Sequence, residues 1–201
     1  MISKGKPAEE IAALADKERV DLIVMGSAKG VVTNKVIRMT NRPVLAISSG
    51  ISSIEKPGRA NRILVATDLS EHSKKIVQYA FELKEAFGAS IYLLYVIETT
   101  KAIEFAFQQG HYNHARERMR EWALNQLLNL VPDQRMTDSR IVTIVETGNP
   151  SEKIAAVAEE IGADLTILGT HEYGMVQKHL LGTTTDKLLS TLATPLLTVK
   201  L

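Results

Sequence analysis

The chain of 201 residues contains no cysteine, which excludes disulfides and thiolate chemistry and fits a reducing compartment. Basic and acidic residues nearly balance, 24 against 23 for a net charge of +1, so no basic excess calls for nucleic acid or an anionic membrane surface. Long apolar runs are missing too. The longest strand candidate, Ile91–Ile97, falls far short of the ~20 residues that a membrane helix needs. The start, Met1-Ile2-Ser3-Lys4, lacks the apolar core of a secretory leader. A soluble, cytoplasmic protein is expected.

No Gly-x4-Gly-Lys-[Ser/Thr] stretch occurs, which excludes the P-loop route to phosphate binding. His171 and His179 stand in one loop with neither a carboxylate nor a third histidine at ligand spacing, so no tightly bound metal is expected. No nucleophile–base pair is recognisable either.

What is present is ordinary for a globular protein, 45% apolar and 23% charged, and enough for one large domain or one domain with a smaller companion. Comparing the chain with itself is more informative. Residues 5–26, GKPAEEIAALADKERVDLIVMG, lie over residues 148–169, GNPSEKIAAVAEEIGADLTILG. Residues 30–48, GVVTNKVIRMTNRPVLAIS, then lie over residues 182–200, GTTTDKLLSTLATPLLTVK. Gly26 and Gly30 are four apart while Gly169 and Gly182 are thirteen apart, so the first copy's loop is nine residues shorter. Nothing in the first copy corresponds to residues 60–140. The pattern predicts a truncated module over 1–49, a linker over 50–60 rich in Ser, Gly and Pro, and a complete domain over 61–201.

Periodicity predicts alternating elements. In the first module Pro7 opens a helix with Ile11, Leu14 and Ala15 on one face. Leu22–Met25 follows as a strand, Thr33–Met39 as a helix and Pro43–Ile47 as a strand. The complete domain opens with strand Ile63–Ala66, then a helix capped by Ser70 with Ile76, Val77, Ala80, Leu83 and Phe87 inward. Ile91–Ile97 is a strand, and residues 98–113 are ambiguous. A helix from about Asn113 to Leu130 carries Met119, Trp122, Ala123 and Leu127 on its core face. Ile141–Val145 is a strand, Asn149-Pro150-Ser151-Glu152 a capped helix start, Leu165–Leu168 a strand. The last helix opens at Thr183-x-x-Asp186 and the last strand is Pro195–Val199. Such alternation means β-α-β units in an open parallel α/β sheet with helices on both faces, Rossmann-like, with a ligand crevice at the carboxyl ends of its strands.

The stretch LGTHEYGMVQKHLLGTTT (168–185) places a glycine where a strand stops and Gly-Thr where a helix starts, a cradle of backbone N–H groups suited to phosphate. Its spacing resembles the nucleotide loop of the universal stress protein family, Gly-x2-Gly-x9-Gly-[Ser/Thr]. Gly169 and Gly182-Thr183 fit the outer positions; Glu172 stands at the middle glycine, with Gly174 two residues on. The stretches VATDLSEHSKKIVQYA (65–80), LLYVIE (93–98), GNPSEKI (148–154) and TPLLTVK (194–200) extend the resemblance over residues 61–201, and residues 2–48 resemble the carboxyl half of the same domain.

That resemblance implies a stress-response protein with an adenine-nucleotide crevice for ATP or AMP, with or without Mg2+, and at most slow hydrolysis. Asp68 would face the adenosine end and Val96 would line the adenine pocket. Gly169, Gly174, Gly182, Thr183 and Thr184 would offer donors to the phosphates. The residues alone leave alternatives open: Asp68 is equally a turn residue, and Thr183 a helix cap. Glu172 opposes phosphate, since two like charges ~4 Å apart repel by ~1–4 kcal/mol, unless Gly174 takes the contact, Lys178 neutralises the acid, or Glu172 points to water. The alternative is a nucleotide-free interaction module that kept the fold. The first module, with its short loop and no aspartate strand, should bind no nucleotide by itself. The resemblance also implies self-association through last strands, here Pro43–Ile47 and Pro195–Val199, paired antiparallel within one chain or between two.

Overall fold

The computed structural model describes residues 4–26, 31–47, 60–170 and 183–200, Thr183 by its backbone alone. Helix α1 (Pro7–Lys17) starts on the proline, whose missing N–H costs nothing in the first turn. Strand β1 (Ile23–Gly26), α2 (Val31–Met39) and β2 (Val44–Ile47) complete the first module. Then come β3 (Arg62–Thr67), α3 (Ser73–Phe87), β4 (Ser90–Glu98), α4 (Lys101–Gln108), α5 (Asn113–Asn129) and β5 (Ile141–Gly148). The chain closes with α6 (Pro150–Glu160), β6 (Leu165–Thr170), α7 (Thr183–Thr191) and β7 (Leu196–Lys200). Gly88 ends α3 in the left-handed region at φ 68°, where a side chain would be strained. Asn149 caps α6, its Oδ1 accepting from the Ser151 and Glu152 N–H groups at 3.1 and 3.4 Å.

One seven-stranded sheet runs β1-β2-β7-β6-β3-β4-β5. Every neighbouring pair is parallel except β2 and β7. The predicted last strands, Pro43–Ile47 and Pro195–Val199, therefore meet edge to edge within this one chain, with Val44 opposite Thr198, Leu45 opposite Leu197 and Ala46 opposite Leu196. The ladders on either side share a register. Ile23 pairs with Val44 as Thr166 pairs with Leu196, and Gly26 with Ile47 as Gly169 with Val199. These are the residues that the self-comparison superposes.

Two apolar cores sandwich the sheet. One runs unbroken under α1, α2, α6 and α7, from Ala8 and Ala15 through Val36, Val44 and Leu196 to Ile154 and Leu188. The other lies under α3 and α5, with Ile76, Val77, Phe81, Ala123 and Leu127 against Val65, Leu93 and Ile167. Among the described residues this second layer stops short of β1: Val24 is 57% exposed, whereas Ile167, its counterpart in the repeat, is 0% exposed.

Several helix faces differ from the expectation. Leu14, Phe87, Met119 and Trp122 are exposed, Trp122 by 54%. In α1 the buried stripe is Ala8, Ala12 and Ala15, and in α5 it is Ala123 and Leu127; small residues let these helices sit close and turn the larger ones outward. Trp122 instead meets Tyr95 edge-on, with ring centroids 6.4 Å apart. The ambiguous segment contains α4, none of whose residues is buried. Ser70 does not cap α3, which begins at Ser73; Ser70 gives its carbonyl to the Ser73 N–H at 3.0 Å. Among the described residues no helix is long and apolar enough to cross a membrane.

Candidate functional site

Strand β3 has β6 on one side and β4 on the other, so the connections leave it in opposite directions. At such a switch point the carboxyl ends of the strands part and leave a crevice. A cleft of about 330 Å3 lies there. Thr67 and Asp68 enter it from the end of β3, Val96 and Glu98 from β4, Gly169 and Thr170 from β6, Pro150 and Ile154 from α6, and Thr184 and Thr185 from the first turn of α7.

Four of the predicted site residues thus share one cavity: Asp68, Val96, Gly169 and Thr184. Thr183 opens α7. Gly174 and Gly182 lie outside the described residues, as do Glu172, Lys178, His171 and His179 and most of the expected linker.

Local chemistry fixes the acidic corner. Leu69 N–H donates to Thr67 Oγ1 at 3.1 Å, Thr67 donates to Ser73 Oγ at 2.5 Å, and Ser73 donates to Asp68 Oδ1 at 3.0 Å. Asp68 Oδ1 also accepts from the Ser70 N–H at 3.0 Å, an Asx turn of the kind aspartate forms between a strand and a helix. Leu69 takes φ 60° to complete it. The turn role of Asp68 is therefore real, and it holds the carboxylate at the cleft. Burial raises the Tyr95 phenol above its ordinary pKa, and the charges of Asp68 and Glu98 raise it further.

Opposite this corner stands the start of α7, where unpaired N–H groups and the helix dipole favour an anion. The cleft is thus polarised, with carboxylates toward β3 and β4 and donors toward β6 and α7. Val96, Leu94 and Ile154 supply an apolar wall between them.

Glu98, Thr170 and Thr185 were not singled out by sequence. Glu98 is the last residue of LLYVIE, one of the stretches carrying the resemblance. Thr185 is 5% exposed and corresponds in the repeat to Thr33, whose hydroxyl donates to the Gly26 carbonyl at 3.2 Å. The adjacent Thr-Asn and Thr-Asp pairs, Thr33-Asn34 and Thr185-Asp186, shared by both copies were the available signal.

The fold and this crevice define a doubly wound α/β protein with a polar cleft at its switch point. A model of the universal stress protein family matches residues 1–48 and 60–200, and the chain belongs to that family. It is 26% identical over 152 aligned positions to a universal stress protein of Methanocaldococcus jannaschii, which covers 69% of this chain and 94% of that protein. The universal stress protein of Methanothermobacter thermautotrophicus is 27% identical over 133 positions, covering 64% and 87%. The crystal structure of a universal stress protein from Archaeoglobus fulgidus shares the fold with a TM-score of 0.67 at 21% identity, across 98% of this chain and 67% of that one.

Proposed function

We propose that this chain is a stress-response protein that holds an adenine nucleotide, ATP or AMP, in the cleft beside β3. The polarity of that cleft carries the reading. Ribose hydroxyls are donors and suit the Asp68 carboxylate; a flat base suits the Val96 wall; phosphates suit Gly169, Thr184 and the N–H groups of α7. Gly174, Gly182 and Thr183 extend the phosphate end by sequence, and Mg2+ bound with the phosphates would be the only metal. Mass spectrometry of small molecules released from the purified protein, followed by calorimetric titration with ATP and Mg2+, tests it. Co-purified or titratable adenine nucleotide is expected.

The second reading, a nucleotide-free interaction module, draws on the two carboxylates that line the cleft, Asp68 and Glu98, together with Glu172 in the loop sequence. Calorimetry without heat of binding would favour it. Under either reading the first module works as a companion to the complete domain, joined through β2 and β7.

A further inference from the structure

The repeat gives each residue of the β2–β7 seam a counterpart on the other side. Superposing Gly30 on Gly182 places Asn34 on Asp186, Arg38 on Ser190 and Leu45 on Leu197. Across the seam Leu45 faces Leu197, while Val44 and Ala46 face Thr198 and Leu196, the counterparts of Ala46 and Val44. A local two-fold axis therefore passes through the Leu45–Leu197 pair. The same relation brings Asn34 of α2 onto Asp186 of α7, whose carboxylate accepts from Asn34 Nδ2. Arg38 Nη2 donates to Asp186 Oδ2 at 3.0 Å and to Oδ1 at 3.3 Å, and Arg38 Nε donates to Asn34 Oδ1 at 2.7 Å. Arg38 and Asp186 side chains are 26% and 37% exposed, so this is a half-desolvated cluster rather than a loose surface pair.

A second copy of the complete domain has the same apolar β7 edge to offer. Approaching by the same axis it would set its own Leu197 on Leu197, which is sterically and chemically acceptable. It would also set its own Asp186 on Asp186, with Ser190 in place of Arg38. Two carboxylates would then meet where an amide and a guanidinium now stand. We propose that Asp186 selects the occupant of the β7 edge. It accepts the chain's own α2, which carries Asn34 and, one turn later, Arg38, and it rejects a second copy's α7. The Asn-x3-Arg pair is the attractive element and the acid-on-acid contact the repulsive one, the two parts that a specific interface needs. An apolar strand edge that would otherwise invite pairing between copies is thereby reserved for the module in the same chain.

The full chain carries the test, and its lack of cysteine makes an engineered thiol a clean reporter. In Asn34→Asp/Arg38→Ser, a carboxylate faces Asp186 across the seam. Like charges in contact are worth roughly fivefold to a thousandfold in an equilibrium, and partial exposure places the expectation near tenfold. Amide exchange at Leu45–Ile47 and Leu196–Thr198 should rise by about that factor. Adding Asp186→Lys reverses the sign of the contact and should restore protection, which a merely misfolded variant would not do. Leu197→Cys then reads the choice of partner. Under oxidation it should give no linked dimer in the parent chain and little in Asn34→Ala/Arg38→Ala, where Asp186 would still meet the Asp186 of a second copy. It should give clearly more linked dimer in Asn34→Ala/Arg38→Ala/Asp186→Asn, because the second copy's repulsion is gone and the chain's own α2 offers that position no partner. Unchanged exchange, failure of the lysine to rescue, or equal cross-linking with and without Asp186→Asn would each overturn the proposal.

Discussion

Leu45 and Leu197 stand opposite each other in the only antiparallel ladder of the described sheet, related by a local two-fold axis, yet their surroundings differ. Leu197 is 3% exposed in the core beneath α3 and α5, whereas Leu45 packs only partly against that core. Symmetry of the backbone is thus not symmetry of burial. Truncating Leu197 to alanine should cost about 2–5 kcal/mol, the usual range for a buried leucine. Leu45→Ala should cost about half as much or less, since less apolar area is withdrawn from water at that site. Urea unfolding at constant m-value measures both. Equal losses would mean that the first module is covered on this face after all.

Lys84 is 1% exposed, a burial that an ammonium tolerates only with a partner. Its Nζ donates to Asp138 Oδ2 at 2.7 Å and lies 3.5 Å from Glu85 Oε1. The Lys84 hydrogen bond and further bonds from Arg140 hold the Asp138 carboxyl well below the ordinary carboxylate range. A depressed folded-state pKa contributes stability that is fully present above the unfolded value, about 4, and lost as pH falls through the folded one. Asp138→Asn should therefore be less stable than the parent chain at neutral pH, with the gap closing as pH drops below about 4. Lys84→Met, which removes the buried charge and keeps its volume, should be less harmful than Asp138→Ala, which leaves that charge only the longer contact with Glu85. Thermal unfolding across the pH range checks both orders.

The strands and the crevice were legible because both rest on local chemistry. Runs such as Ile63–Ala66 and Ile91–Ile97 are short and rich in β-branched and aromatic residues, which favours a buried strand over a helix, and the residues that end them fall at one rim of the sheet. The resemblance to the universal stress protein family grouped Asp68, Val96, Gly169 and Thr184, and all four line the one cleft. What failed was the direction of helix faces. Leu14 and Trp122 satisfy a helical apolar period, but alanines at neighbouring positions set the contact line, and the sequence does not rank one stripe above the next; Phe87 lies in the last turn of α3, past the buried line that ends at Lys84. Helix α4 was ambiguous for a related reason: Ile103 and Phe105 are exposed, so its pattern answers to no core. Lys84 gave no sign of burial, because Asp138 stands 54 residues away and only the tertiary fold joins them.

Asn149 holds the start of α6 beside the cleft by taking N–H groups from Ser151 and Glu152 and the Ser151 hydroxyl at 2.7 Å. Its replacement by alanine leaves those donors without their cap. A loss of about 1 kcal/mol is expected, the usual cost at this position. The counterpart of this site in the first module is Lys6, whose side chain makes no cap hydrogen bond to α1. Lys6→Asn should accordingly stabilise the chain by a comparable fraction, read as an upward shift in the denaturation midpoint.

The nucleotide reading makes the sharpest demand on Asp68. Its Oδ1 is engaged in the turn through Ser70 and Ser73, so alanine there loses both a turn and a charged acceptor at the cleft. A hydrogen bond to a charged group is worth about 1.5–3 kcal/mol, so ATP affinity should fall by roughly ten- to a hundredfold. Val96→Trp fills the apolar wall and should abolish binding outright. Leu45→Ala, far along the sheet, should lower stability while leaving the titration unchanged, which separates loss of the site from loss of the fold. Tyr95 supplies an independent check. Asp68 helps to raise its phenol, so Asp68→Asn should lower the Tyr95 pKa, seen as earlier phenolate absorbance against a Tyr95→Phe reference. A Tyr95 titration that responds while ATP binding does not would leave the carboxylate at the rim of the cleft without a nucleotide to serve.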